Sequence, residues 1–184
     1  ADTFGLLPYL LGVSADVSYR VGAWESAGDG LASVGLADEY GQRGILPFCL
    51  VISGRLDAAR GDTAQARDEL ERGIAIALEV GSAMVIDWGR AALGFLELGI
   101  GQAEAAIAEL EQVEASAAKS GLEDPTFVPW APDLVEAYLR AGREADDGLA
   151  YPRALHAGGT DNAAGSAQRD ARAGHGGAAA RGHL

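Results

Sequence analysis

Two series of glycines constrain this chain more than any other feature. Gly22, Gly61, Gly101 and Gly142 stand 39, 40 and 41 residues apart, and Gly41, Gly81 and Gly121 stand 40 and 40 apart. Segments of about 19 or 20 residues with apolar positions at helical intervals lie between the two series. Glycine enters left-handed backbone without a Cβ penalty, so it marks tight turns and helix stops. A period of this length signals stacked supersecondary units, none of which buries its apolar face alone. The order reads helix, tight turn, helix, glycine stop.

Local chemistry sets the helix limits. "GAWESA" (22–27), "GDTAQA" (61–66) and "GQAEAA" (101–106) share a Gly-x4-Ala spacing. In the second unit Asp62 caps the next helix, and Gln65 completes a capping box. Ala66, Leu70, Gly73, Ile74, Ala77 and Leu78 then form one apolar stripe, Gly81 stops the helix, and Ser82 is placed to cap the next. In the third unit Ala106, Leu110 and Val113 face inward and Gly121 ends the helix. Seven residues before each turn glycine stand Ala15, Gly54, Gly94 and Val135. Small residues there let the first helix approach Ala27, Ala66 and Ala106 of its mate, with Leu31, Leu70 and Leu110 one turn further on.

The predicted architecture is an all-α, right-handed solenoid of antiparallel helical hairpins. Helices are expected at 5–21, 24–40, 44–60, 63–80, 83–100, 102–120 and 129–142, giving about three and a half repeats within residues 1–147. The first helices of each pair line a concave face. In the stretch "DPTFVPWAPDLVEAYLRAGR", Pro125, Pro129 and Pro132 suit an extended entry into a helix. Trp130 anchors that entry, Leu134 and Tyr138 share one face, and the helix is expected to leave an apolar face exposed.

The small residue of the first helix, the turn glycine, and the alanine and large apolar residue of the second helix resemble the tetratricopeptide repeat (TPR) over about residues 4–143. The period here is near 40 rather than about 34, and Thr63 and Ala103 stand where Trp24 does. A narrower resemblance is carried by "GRLDAARGDTAQARDELERGIAIALEVGS", "WGRAALGFLELGIGQAEAAIAELE" and "GLEDPTFVPWAPDLVEAYLRAGR", above all by "PWAPDLVEA" at Pro129–Ala137. These are similar to the helical-repeat region of large LuxR-type, MalT-like regulators. In that family a AAA/STAND ATPase domain precedes the repeats and a helix-turn-helix follows them. The resemblance implies a sensor segment that binds an effector or a partner protein and relieves inhibition of the ATPase. The alternative is a generic TPR scaffold for protein–protein interaction, unrelated to transcription. The two differ in what flanks the segment.

Charge excludes other classes. The formal net charge is -13 and Lys119 is the only lysine, which argues against direct nucleic-acid binding. No Gly-Lys pair exists to form a P-loop. No apolar run approaches the roughly 18 residues that span a bilayer, and no signal-peptide pattern opens the chain. Cys49 is the single cysteine, which excludes an internal disulfide and a cysteine-based zinc cluster. The reading is a cytoplasmic protein without membrane contact, cofactor or metal. Because it opens on Ala1 and holds only Met84, it reads as a fragment or processed product.

From Gly148 to Leu184 the composition changes. Nineteen of these 37 residues are Ala or Gly, four are Arg and two Asp, and Val, Ile, Phe, Met, Trp, Glu and Lys are missing. So little apolar surface does not offset chain entropy, and the segment is expected to be a disordered tail. A shifted reading frame in GC-rich coding DNA would produce this composition, and a natural flexible tail is the alternative. His156, His175 and His183 all lie here, at spacings too irregular to indicate a metal site.

The candidate binding residues are Asp87, Trp88, Arg90, Trp130 and Asp133, which lie early in the first helices of consecutive repeats. The competing reading of both tryptophans is apolar core. Glu97, Glu104, Glu109 and Glu111 read as a solvated helix face rather than acid–base groups. Cys49, within "ILPFCLVI", reads as a small core residue. No nucleophile–base pair is evident, so no enzymatic activity is expected of this segment.

Overall fold

The computed structural model describes residues 3–23, 28–120 and 128–143. Among these residues the regular structure is helical, with no strands. A 3-10 turn, Thr3–Leu6, leads into α1 (Leu7–Arg20), α2 (Asp29–Glu39), α3 (Leu46–Arg60), α4 (Thr63–Val80), α5 (Ala83–Gly99), α6 (Ala103–Ser120) and α7 (Ala131–Arg140). From α3 onward each end lies within two residues of its expected position. The expected helix at 5–21 starts instead as the 3-10 turn, with Pro8 in the first turn of α1. Trp24, Ala27, Gly121 and the tail from Gly148 lie outside the described residues.

The glycine series sets the turns. Gly22, Gly41, Gly61, Gly81, Gly101 and Gly142 all hold φ between +60° and +87°, a region that L side chains enter only with strain. The start of α4 is capped as expected, with Asp62 Oδ1 accepting from the Gln65 amide at 3.4 Å. The other half of the capping box is not made. Gln65 donates its Nε2 to Glu69 at 2.9 Å instead. Ser82 occupies the N-cap of α5 without a side-chain cap bond.

Each helix packs on the next in sequence, and α1, α3, α5 and α7 also touch in series. Within pairs the expected close approach is present. A Cβ at Gly54 would lie 2.8 Å from Leu70 Cγ and 3.1 Å from the Ala66 carbonyl oxygen, and one at Gly94 would lie 2.5 Å from Leu110 Cγ. Gly73 meets Leu50 and Pro47, residues earlier in α3 than Gly54, so α3 and α4 run antiparallel.

Leu31 departs from expectation. Counting from the turn glycine puts it in register with Leu70 and Leu110, yet it is 58% exposed. The buried residues of α2 are Gly30, Ser33 and Ala37, which stand 40 before Leu70, Gly73 and Ala77. The second helix of the first pair therefore keeps step with its closing glycine, Gly41, and not with Gly22. The one-residue difference puts Gly30, not Leu31, at the Leu70 position, 3.6 Å from Ala15 Cβ if it carried a Cβ of its own. Leu78 is likewise 58% exposed, because it lies about 100° around the helix from Ala77, off the edge of the buried stripe.

Helix α3 is the centre of the core. Every residue from Leu46 to Gly54 is buried, and α1, α2, α4 and α5 all contact the helix. Apolar residues on every side are the mark of a helix enclosed by neighbours. Leu50, Leu70, Leu96 and Leu110 are each at most 2% exposed, a burial worth about 1.5–3 kcal/mol per side chain. Trp130, Leu134 and Tyr138 join Ala106, Ile107, Leu110 and Val113 in a second cluster under α7. Leu139 is 61% exposed beside half-buried Val135, so the outer side of α7 does present apolar surface.

Candidate functional site

The row of α1, α3, α5 and α7 holds a shallow depression. Arg20 comes from α1, Val51, Ile52 and Arg55 from α3, and Trp88, Ala91, Ala92 and Phe95 from α5. Val128, Pro129 and Asp133 close it at the start of α7. Its cavity volume is only about 20 Å³. That is room for about one water molecule.

An aromatic ladder adjoins it at Trp88. Tyr9 and Phe48 have ring centroids 5.2 Å apart, and Phe48 and Trp88 5.8 Å apart, both tilted. These three residues stand 39 and 40 apart, so one repeat position builds the ladder. Charged groups border it. The Arg55 guanidinium lies over the Tyr19 ring at 4.9 Å, a cation–π contact. Arg20 is held by Asp16 at 2.7 Å. Burial pushes the Asp133 carboxyl above its ordinary range, and the positive charge of Arg55 opposes that shift.

The five residues singled out from sequence fall in three places. Trp88 and Asp133 line the depression. Trp130 is 3% exposed and sits in the core beneath α7. Asp87 and Arg90 face α6 instead. Asp87 accepts from Ser116 Oγ at 2.7 Å, while Arg90 hydrogen-bonds Gln112 and lies 3.5 Å from Glu109. They fasten α5 to α6, and burial holds the Asp87 and Glu109 carboxyls above their usual range. Sequence reading missed Arg20, Arg55 and Phe95. A signal existed for two of them, since Arg55 and Phe95 directly follow Gly54 and Gly94 and so leave the helix one step round from the buried contact.

The carboxylates sort by partner. Glu97 was expected on a solvated face, yet it is 7% exposed and paired with Arg67 at 2.6 Å. Glu104 pairs with Arg143 at 2.8 Å on the surface. Glu111 accepts from the Tyr138 hydroxyl at 2.8 Å, and burial followed by this bond pushes Tyr138 up to about 12. Between α3 and α4, Asp57 and Glu69 are 6% and 5% exposed. Glu69 Oε1 accepts from Gln65, while its second oxygen faces the Ser53 hydroxyl without closing a hydrogen bond. Burial raises the pKa of both carboxyls, and Arg60 partly offsets this for Asp57.

Cys49 is fully buried, where burial pushes its thiol up and Sγ donates to the Pro8 carbonyl at 3.6 Å. Among the described residues no three of His, Cys, Asp and Glu are grouped to hold a metal ion, and no helix is long and apolar enough to cross a membrane. Compared with family models, curated proteins and solved structures, the chain has no match in any of the three.

Proposed function

We propose that this chain is the helical-repeat segment of a LuxR-type, ATP-dependent transcriptional regulator. In this reading it is a right-handed, TPR-like solenoid that receives a protein partner on the concave side formed by α1, α3, α5 and α7. The observation that carries the binding reading is one depression that gathers Arg55, Trp88, Phe95 and Asp133 from three different helices. Aromatic and guanidinium groups together are the side chains that most often anchor protein contacts. The small volume of this depression, about 20 Å³, favours a protein partner over a small-molecule effector there. Pockets that take small molecules run to about 300–1,000 Å³, so a protein surface or extended peptide fits and an engulfed metabolite does not.

The regulatory part of the reading rests on the resemblance of "PWAPDLVEA" and the preceding repeats to LuxR-type regulators. ATP hydrolysis and DNA binding are assigned to other domains of such a protein, since the sequence has no Gly-Lys pair for a phosphate loop and a single lysine. Reading the coding DNA on both sides tests this directly. A P-loop upstream and a helix-turn-helix downstream are expected. Their absence would reduce the reading to a generic interaction scaffold with the same depression.

A further inference from the structure

Helices α1 and α3 occupy equivalent places with different surroundings. Thirty-nine residues on from Leu10 and Val17 lie Cys49 and Leu56, and 40 further lie Gly89 and Leu96. In α3 and α5 these positions are sealed, with Cys49 0%, Leu56 2% and Leu96 2% exposed, and Gly89 buried. The preceding helix pair seals them. Cys49 bonds to the Pro8 carbonyl, a Cβ at Gly30 would lie 3.0 Å from Leu56 Cδ1, and one at Gly89 would lie 2.5 Å from Ile74 Cγ1.

In α1 the same positions are open. Leu10 is 57% and Val17 52% exposed, and Leu6, one turn earlier, is 59% exposed. They lie on the side of α1 opposite Pro8 and Ala15, which are buried toward the following helices. Scattered exposed leucines are ordinary, but a continuous stripe along one helix face marks an interaction surface.

We infer that this face of α1 seats one further antiparallel helix pair of the same repeat, as α1 and α2 are seated on α3. Continuity of register identifies the occupant, because the stripe is the repeat's own inter-pair interface at its open end. The incoming pair presents small residues to Val17, as Gly30 does to Leu56. Residues 148–184 make a poor substitute, since they hold no Val, Ile, Phe, Met or Trp. The inference is independent of what the concave depression binds.

The test joins a second copy of residues 5–43, the pair and turn that already cover α3, to Gly5 of the full chain. Amide exchange between Leu10 and Ala15 of the now internal α1 should slow by about tenfold or more, and the Tm should rise. Leu10→Asp in the internal copy should abolish both gains, while Leu10→Asp in the unextended chain leaves its Tm unchanged. Unaltered exchange, from an extension that does not dock or does not fold, overturns the inference. So does Leu10→Asp proving equally neutral in both chains. Two further results would assign the face to another occupant and overturn it as well. One is concentration-dependent association of the unextended chain, by sedimentation, that Leu10→Asp removes. The other is faster α1 exchange on deleting residues 144–184.

Discussion

The first and second helix pairs solve the same packing problem with the residues reversed. In the second pair the first helix is bare at Gly54 and the second supplies Leu70, whose Cγ would lie 2.8 Å from a Cβ at Gly54. In the first pair the first helix carries the methyl of Ala15 and the second helix is bare at Gly30. The difference teaches that close approach depends on the combined volume of the facing residues and not on which helix holds the glycine. It also shows that the first pair is sparsely filled, since Gly30, Ser33 and Ala37 are the residues α2 buries.

Truncation should break the symmetry most. Leu70 is fully buried, so Leu70→Ala should cost about 2–5 kcal/mol, whereas Leu31→Ala, at an exposed site, should stay within about 0.5 kcal/mol. Urea melts at constant m measure both, and equal losses would contradict the register assigned to α2. Overpacking comes next. Gly94→Ala places a methyl 2.5 Å from Leu110 Cγ and should cost about 1–3 kcal/mol. Gly54→Ala should behave alike, and combining it with Leu70→Gly, which copies the first pair, should cost less than the two single changes added.

The buried carboxylates sharpen the contrast further. Glu69 is 5% exposed in the second pair, and 40 residues earlier Asp29 lies at the margin of the first, bonded to Ser14 at 3.2 Å. Burial raises the folded-state pKa of Asp57 and Glu69, so their contribution to stability is fully present below the unfolded values and is lost as pH rises through the raised ones. The Tm should therefore climb as pH falls from neutrality towards the ordinary carboxylate range. Glu69→Gln should add about 1 kcal/mol at pH 7 and flatten that slope, and a steeper slope would refute the assignment. The smallest effect belongs to Tyr138, which holds in α7 the place that Asp57 and Glu97 hold in α3 and α5. Tyr138→Phe loses one bond to an exposed carboxylate and should cost about 0.5–1 kcal/mol by thermal melt.

Much of this was legible in the residues because the glycines and the helical stripes carry local, physical signals. The turn at Gly61, the cap at Asp62, and the contacts of Gly54 and Gly94 all follow from sequence spacing. What escaped was set by a single missing residue or by tertiary neighbours. The spacing from Gly22 to the α2 register is one residue shorter than from Gly61 or Gly101, which moves Leu31 out of the core, and no local pattern reveals which of the two glycine series α2 follows. Glu97 reads as solvated because its spacing suits an outer face. The neighbouring helices cover it, and its partner Arg67 lies 30 residues away. The depression was half visible. Trp88 and Asp133 stand out by residue type, whereas Arg55 and Phe95 emerge only when positions after the small residue are aligned across repeats.

Residue-resolved native-state hydrogen exchange tests the central claim, that equivalent helices repeat with α3 enclosed and α1 at an open edge. The account predicts that amides from Cys49 to Gly54 exchange only with global unfolding. Those from Gly12 to Ala15 should exchange through a smaller opening, about tenfold faster or more. Equal protection of the two segments, or faster exchange in α3, would contradict it.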